Sequence, residues 1–162
     1  MDELYMKDFP GRKLRVALVC EDLQPNPGSK IKAISNSKEA YEYVRQGLEN
    51  KDREFFVAVL LDCKNVPLGV NLVSIGSLSA STVHPREVYK PAILASAAAL
   101  IVAHNHPSGD PKPSVEDTNV TKTLAEAGQI LDIELLDHII IGQGGFYSFR
   151  DEGILPLKQR RW

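Results

Sequence analysis

The chain has 162 residues and a mass of 17.9 kDa, enough for one compact domain and tight for two. Its 43% hydrophobic and 25% charged residues are those of an ordinary globular protein with a real core, which excludes wholesale disorder. Nineteen Lys and Arg stand against 21 Asp and Glu, a net charge of −2 that argues against a surface built for phosphate backbones.

The first residues, Met1 to Leu4, lack the basic and apolar regions of a secretory signal. Leu14 to Cys20 reads as a strand between the punctuators Pro10-Gly11 and Pro25-Asn26-Pro27-Gly28. Residues 1–30 are therefore expected to form an arm with an extra strand. It would be an ordinary first strand or pair along a sheet edge, in this chain or in the second copy of a homodimer. Residues 31–155 are expected to form the main domain, and 156–162 a solvated tail that holds the local basic cluster Lys158, Arg160 and Arg161 and ends in Trp162.

Within the domain, Ala40, Tyr41, Val44 and Leu48 recur at helical spacing, and Ser37 is placed to cap that helix. Glu54 to Asp62 and Val66 to Ile75 are apolar runs that predict a hairpin, both strands central in a sheet covered on two faces. His84-Pro85-Arg86-Glu87 opens a second helix, with Val88, Ala92, Ala95 and Ala99 on one face and a kink or restart at Pro91. The alanines at 95 and 97–99 suggest close helix packing. Leu100 to Ala103 reads as a buried strand running into His104. A Pro- and Gly-rich loop at 107–113 precedes a third helix, Ser114 to Ala127, with Val120, Leu124 and Ala127 inward and Gly128 as its stop. Leu135 to Ile141 is a further buried strand, followed by a Gly144-Gly145 turn and a short strand from Phe146 to Phe149. This alternation predicts one α/β layered domain. The apolar stretch Ala92 to Ala103 is too short to span a bilayer, and Cys20 and Cys63 are too few for a disulfide framework or a thiolate zinc site. A soluble protein of the reducing cytoplasm is the expectation.

The chemistry is concentrated in His104-Asn105-His106-Pro107 and Ser114-Val115-Glu116-Asp117. Side chains two apart on a strand share a face, with Cα atoms roughly 6.5 Å apart. Two imidazoles at that span can converge on one ion at about 2.0–2.1 Å. Asp117, in the first turn of the next helix, supplies a third ligand, and Pro107, Pro111 and Pro113 stiffen the loop between. Three ligands with a fourth place left for water make the pattern of a catalytic zinc site. Ser-x-x-Asp is also a capping pattern, so Ser114 can cap the helix and still point toward the site. A hydrolase of this kind needs a carboxylate to accept the proton of its water. Glu54, at the head of an apolar strand, and Glu116 both qualify on position. His138 reads as a hydrogen-bonded core histidine, His84 as a turn or cap residue, and Asn105 as a structural residue facing away from the ligands. Arg86 and Glu87 read either as an ion pair near the site or as a plain helix-start pair.

His104-x-His106-Pro107 with Ser114-x-x-Asp117 and an upstream Glu54 resembles the JAMM motif of the MPN/JAB metalloproteases. The text at 104–111, Pro113-Ser114 and Leu136-Asp137-His138 is closer still to the RadC branch, and the likeness covers about residues 31 to 150. It implies a three-layer α/β/α mixed sheet of the cytidine-deaminase-like JAB kind. It also implies Zn²⁺ on His104, His106 and Asp117, Glu54 as general acid/base, Ser114 as oxyanion stabiliser, and cleavage of peptide or isopeptide bonds in a peptide or protein substrate. The helix-hairpin-helix region of longer RadC proteins is not expected in the thirty residues before the domain. The branch's DNA-repair name supplies a second reading, a DNA-processing nuclease or DNA-binding accessory, and a non-catalytic scaffold is a third. Zinc deaminases are disfavoured because no Pro-Cys-x-x-Cys is present.

Overall fold

The computed structural model describes residues 17–18, 32–76 and 83–155. The order of elements is α1 (Ser37–Leu48), β1 (Phe55–Leu61), β2 (Pro67–Ile75), α2 (Pro85–Leu94), β3 (Ala99–Asn105), α3 (Val115–Leu131), β4 (Glu134–Gly142) and β5 (Gly145–Ser148). The strands form one mixed sheet in the order β2-β1-β3-β4-β5, with β3 and β4 parallel and the other pairs antiparallel. The β3–β4 pair needs a crossover, and α3 provides it.

Period-two alternation sorts β1 between two cores. Phe56, Ala58 and Leu60 face α2 and α3, while Val57, Val59 and Leu61 face the side covered by α1. The result is the three-layer α/β/α arrangement. Tyr89 of α2 is the largest fully buried side chain, and its hydroxyl donates to the Leu124 carbonyl of α3, locking the two helices of one layer together.

Several local expectations are corrected. Asn36, not Ser37, caps α1: its Oδ1 accepts from the Glu39 amide at 2.9 Å, while the Ser37 hydroxyl donates to Asp151. Among the described residues β2 lies at the edge of the sheet, with Leu68, Val70 and Leu72 about half exposed along one face. Apolar composition misled here, because an edge strand can be as apolar as a central one. Helix α2 continues through Pro91 without restarting, and the proline lacks the amide that would bond the Glu87 carbonyl. Ala95 to Ala98 form the turn out of α2, and Ala99 opens β3. Helix α3 runs past Gly128 to Leu131 and ends on Asp132, with φ of 56°. Phe149 follows β5 rather than ending it.

Arg86 and Glu87 form an exposed neighbouring pair at the start of α2 (Nε–Oε1 3.1 Å), and His84 is the N-cap without a side-chain hydrogen bond. Cys63 is exposed in the β1–β2 turn. Of the expected strand Leu14–Cys20 only Ala17 and Leu18 are described; Leu18 lines a cleft with Asn71, Leu72 and Val73 of β2. The rest of that strand, Cys20, and the tail with Lys158, Arg160, Arg161 and Trp162 lie outside the described residues. Among the described residues no helix is long and apolar enough to cross a membrane.

Candidate metal centre

The centre forms where β1, β3 and α3 meet. Antiparallel register sets Phe56 opposite His104, so the head of β1 reaches the end of β3 where His106 lies. His104 is fully buried on the α2–α3 side of the sheet, and its ring stacks on Phe56 at 5.8 Å between centroids. His106 lies just past β3; its amide donates to the Ile141 carbonyl. Asp117 enters from the first turn of α3 and is wholly buried.

One ligand atom from each of His104, His106 and Asp117 lies within 4.8 Å of the others. His104 Nε2 is 3.0 Å from His106 Nε2 and 3.2 Å from Asp117 Oδ1; His106 Nε2 is 3.4 Å from Asp117 Oδ2. Donors of a tetrahedral ion at about 2.0–2.1 Å are separated by about 3.3 Å, so these spacings match one shared cation. The chemistry of the donor set points the same way. Asp117 Oδ1 is buried and takes no hydrogen bond. His106 Nδ1 donates to the Asp110 carbonyl at 2.7 Å, which in the neutral ring leaves its Nε2 a bare lone pair turned toward the aspartate. A buried cluster of acceptors without protons is costly, and a divalent cation satisfies all of them at once.

Electrostatics reinforce the arrangement. Burial alone would push the Asp117 carboxyl up, but the facing imidazoles of His104 and His106 and the Ser114 hydroxyl hold it far below the usual carboxylate range. Burial pushes His104 down and keeps it neutral, the form a metal requires. His106, half-buried beside Asp117, is pushed up.

Ser114 is the N-cap of α3 and completes a capping box with Asp117. Its hydroxyl and amide both donate to Asp117 Oδ2, at 2.6 and 2.7 Å, while the Asp117 amide donates back to Ser114 Oγ. The cap therefore does two jobs: it ends the helix and aims Oδ1 at the histidines. Glu54 is half-buried at the head of β1, and its charge raises the proton affinity of both His104 and His106, which places it within electrostatic reach of the centre. Glu116, by contrast, lies on the exposed face of α3.

Three contributors were not legible as site residues. Asn105 faces away from the candidate ligands, as its alternation predicts, but it clamps the segment that carries Glu54: its Oδ1 accepts from the Phe55 amide and its Nδ2 donates to the Arg53 carbonyl, each at 2.9 Å, on either side of Glu54. His138 is fully buried, with Nε2 2.9 Å from His104 Nδ1 and Nδ1 2.6 Å from Thr121 Oγ1. Thr121 also donates to the Asp117 carbonyl at 2.6 Å. Only the parallel β3–β4 register, with Val102 beside His138 and His104 beside Ile140, sets the two histidines on one face. A cleft of about 510 Å³ opens beside His106 on the α1 side of the sheet, lined by Leu48, Lys51, Asn105, Pro107, Ile141 and Gln143 among others, and of the candidate ligands only His106 borders it.

A mixed sheet between helical layers, with two histidines at a strand end and an aspartate at the next helix start, defines a JAB-type domain. The comparison with known proteins agrees: residues 34–154 match the RadC-like JAB domain, and the chain belongs to that family. It is similar to UPF0758 proteins of Rubrobacter xylanophilus (50% identical over 130 residues), Symbiobacterium thermophilum (48% over 122) and Shouchella clausii (52% over 120). These alignments cover 80%, 75% and 74% of this chain and 56%, 52% and 52% of the relatives, so the chain spans about half their length.

Proposed function

We propose that the domain is a zinc-dependent hydrolase of the JAMM type that cleaves peptide or isopeptide bonds. The observation that carries this reading is the convergence of two imidazole nitrogens and an unpartnered buried carboxylate oxygen, within the field of Glu54. When bound there, a divalent cation supplies Lewis acidity, which acidifies water and polarises a carbonyl. His104, His106 and Asp117 hold it. Glu54 accepts the proton of the attacking water and delivers it to the leaving nitrogen. Asn105 fixes the backbone on both sides of Glu54, so that transfer starts from a set geometry. Ser114 turns its hydroxyl from Asp117 to the oxyanion of the tetrahedral intermediate. The substrate is a peptide or protein rather than a nucleic acid, in keeping with the net charge of −2.

The test is Glu54→Gln. It should keep stoichiometric zinc by elemental analysis and lower peptide hydrolysis by roughly 10²–10⁴-fold. A variant that cleaves as fast as wild type removes Glu54 from the reaction. Wild-type protein that takes up no metal from a zinc-supplemented buffer removes the whole reading. Binding to duplex DNA that weakens steeply with salt would favour the nucleic-acid reading instead.

A further inference from the structure

We propose that His138 and Thr121 are positioning residues for the metal centre: they pin the proton of His104 on Nδ1 and so hold its Nε2 ready to ligate. The inference rests on the metal-site reading above. It follows from counting protons along one buried chain of contacts, from His104 Nδ1 to His138 Nε2 (2.9 Å), from His138 Nδ1 to Thr121 Oγ1 (2.6 Å), and from Thr121 Oγ1 to the Asp117 carbonyl (2.6 Å).

The Asp117 carbonyl can only accept, so the single hydroxyl proton of Thr121 points to it. Thr121 Oγ1 must then accept from His138, which puts the His138 proton on Nδ1. His138 is fully buried and its two ring nitrogens meet an imidazole and a hydroxyl, so it is neutral and carries one proton. Its Nε2 is thus an acceptor, and His104 Nδ1 must donate to it. The His104 lone pair is left on Nε2, the atom that faces His106 and Asp117. The reverse polarity would leave two oxygens, Thr121 Oγ1 and the Asp117 carbonyl, 2.6 Å apart with no proton between them. The chain begins at one ligand and returns to the backbone of another, so it also fixes the first turn of α3 relative to β3.

Packing holds the planes of the rings. His138 stacks on Phe149 (4.9 Å, 10° between planes) and meets Phe56 edge-on at 5.5 Å, while Phe56 stacks on His104. The protein has thereby chosen the ligating nitrogen before any ion arrives. Pinning of a ligand's second nitrogen by an outer partner is worth about 10–100-fold in metal affinity. A partner histidine held in turn by a threonine is how this chain achieves it.

The experiment uses the full chain. Long-range ¹H–¹⁵N correlation spectra of metal-free, ¹⁵N-histidine-labelled protein report which ring nitrogen of each histidine bears the proton. His104 and His138 should both be Nδ1-H tautomers. Zinc affinity, measured by competition with a chromophoric chelator, should fall about 10–100-fold in Thr121→Val, with the thermal transition still cooperative, and recover in Thr121→Ser, which restores the hydroxyl. An Nε2-H tautomer for His104 in metal-free wild type overturns the proposal, and that measurement needs no variant to fold. Unchanged zinc affinity in Thr121→Val overturns it too. If wild type binds no zinc, the function proposed above fails, while the tautomer spectrum still decides this inference by itself.

Discussion

Two aspartates are buried in this domain, on opposite faces of the same sheet, and they are treated in opposite ways. Asp137 lies in register with Ile101 on the α1 side. Its Oδ1 accepts from the amides of His138 and Arg150, at 2.7 and 3.0 Å, and its Oδ2 from the Ser148 hydroxyl at 2.6 Å. Both oxygens are used, and the group ties the end of β5 back to β4. Burial pushes its carboxyl up, and those donors only partly oppose the shift. Asp117, on the α2–α3 side, has two donors on Oδ2, both from Ser114, and none on Oδ1. A buried acid with donors on both oxygens is a fastener. One with an oxygen left bare among nitrogen lone pairs is built for something it binds.

Asparagine separates the two roles. Asp117→Asn should cost the largest effect of all, a loss of zinc affinity of at least about 100-fold, since an anionic ligand is removed from a three-ligand site. Its thermal midpoint should move little in metal-free protein, because the new amide can donate to a bare imidazole nitrogen. Isothermal titration with zinc, beside a melting curve in chelator, checks both halves. A variant that still binds like wild type would mean the acid is only a helix cap. Asp137→Asn should behave the other way round. Its oxygen would keep the two backbone donors, but its NH2 would meet the Ser148 hydroxyl that had donated to Oδ2, at a cost of about 1–3 kcal/mol in stability by denaturant titration. Zinc stoichiometry should persist. Loss of metal with unchanged stability would reverse the assignment of the pair.

The cluster of His104, His106 and Asp117 is legible because its signal is local. His104 and His106 are neighbours on one strand, and Asp117 follows a short, proline-braced loop, so spacing and alternation suffice. The partners were not legible because theirs is not local. His138 reaches His104 only through the parallel pairing of β3 and β4, and the register shift between Leu100 and Ile101 sets which residues of β4 share the face of His104. Thr121 was passed over for a related reason. The inward face of α3 was expected at Val120, Leu124 and Ala127. The residues wholly turned inward include Asp117, Thr121 and Leu124, and Val120 and Ala127 are half-buried. A helix that presents polar groups to a buried site hides part of its inner face from any hydrophobic count. At β2 the apolar pattern reads as a central strand, and among the described residues no strand pairs with its outer side.

Gly128 completes the lesson and supplies the smallest of the expected effects. Its place near the end of a helical pattern suggests a stop signal, yet φ is helical and α3 continues for three more residues. Its role is close approach. A Cβ there would sit 2.5 Å from the Ile133 carbonyl oxygen and 2.5 Å from the Tyr89 hydroxyl. Tyr89 cannot retreat cheaply: it is buried, and its hydroxyl is bonded to the Leu124 carbonyl. In an exposed helix interior, glycine to alanine gains about 1 kcal/mol. Here the clash with backbone and a fixed ring outweighs that gain, and Gly128→Ala should destabilise by about 1–2 kcal/mol net, read as a lower denaturation midpoint at unchanged slope. Zinc affinity should hold, because residue 128 lies nearly two turns beyond Thr121 and touches no ligand. A stabilised variant would show that the glycine marks a helix end after all. A variant that lost zinc would show that the packing of α3 on α2, and not only its capped first turn, sets where Asp117 points.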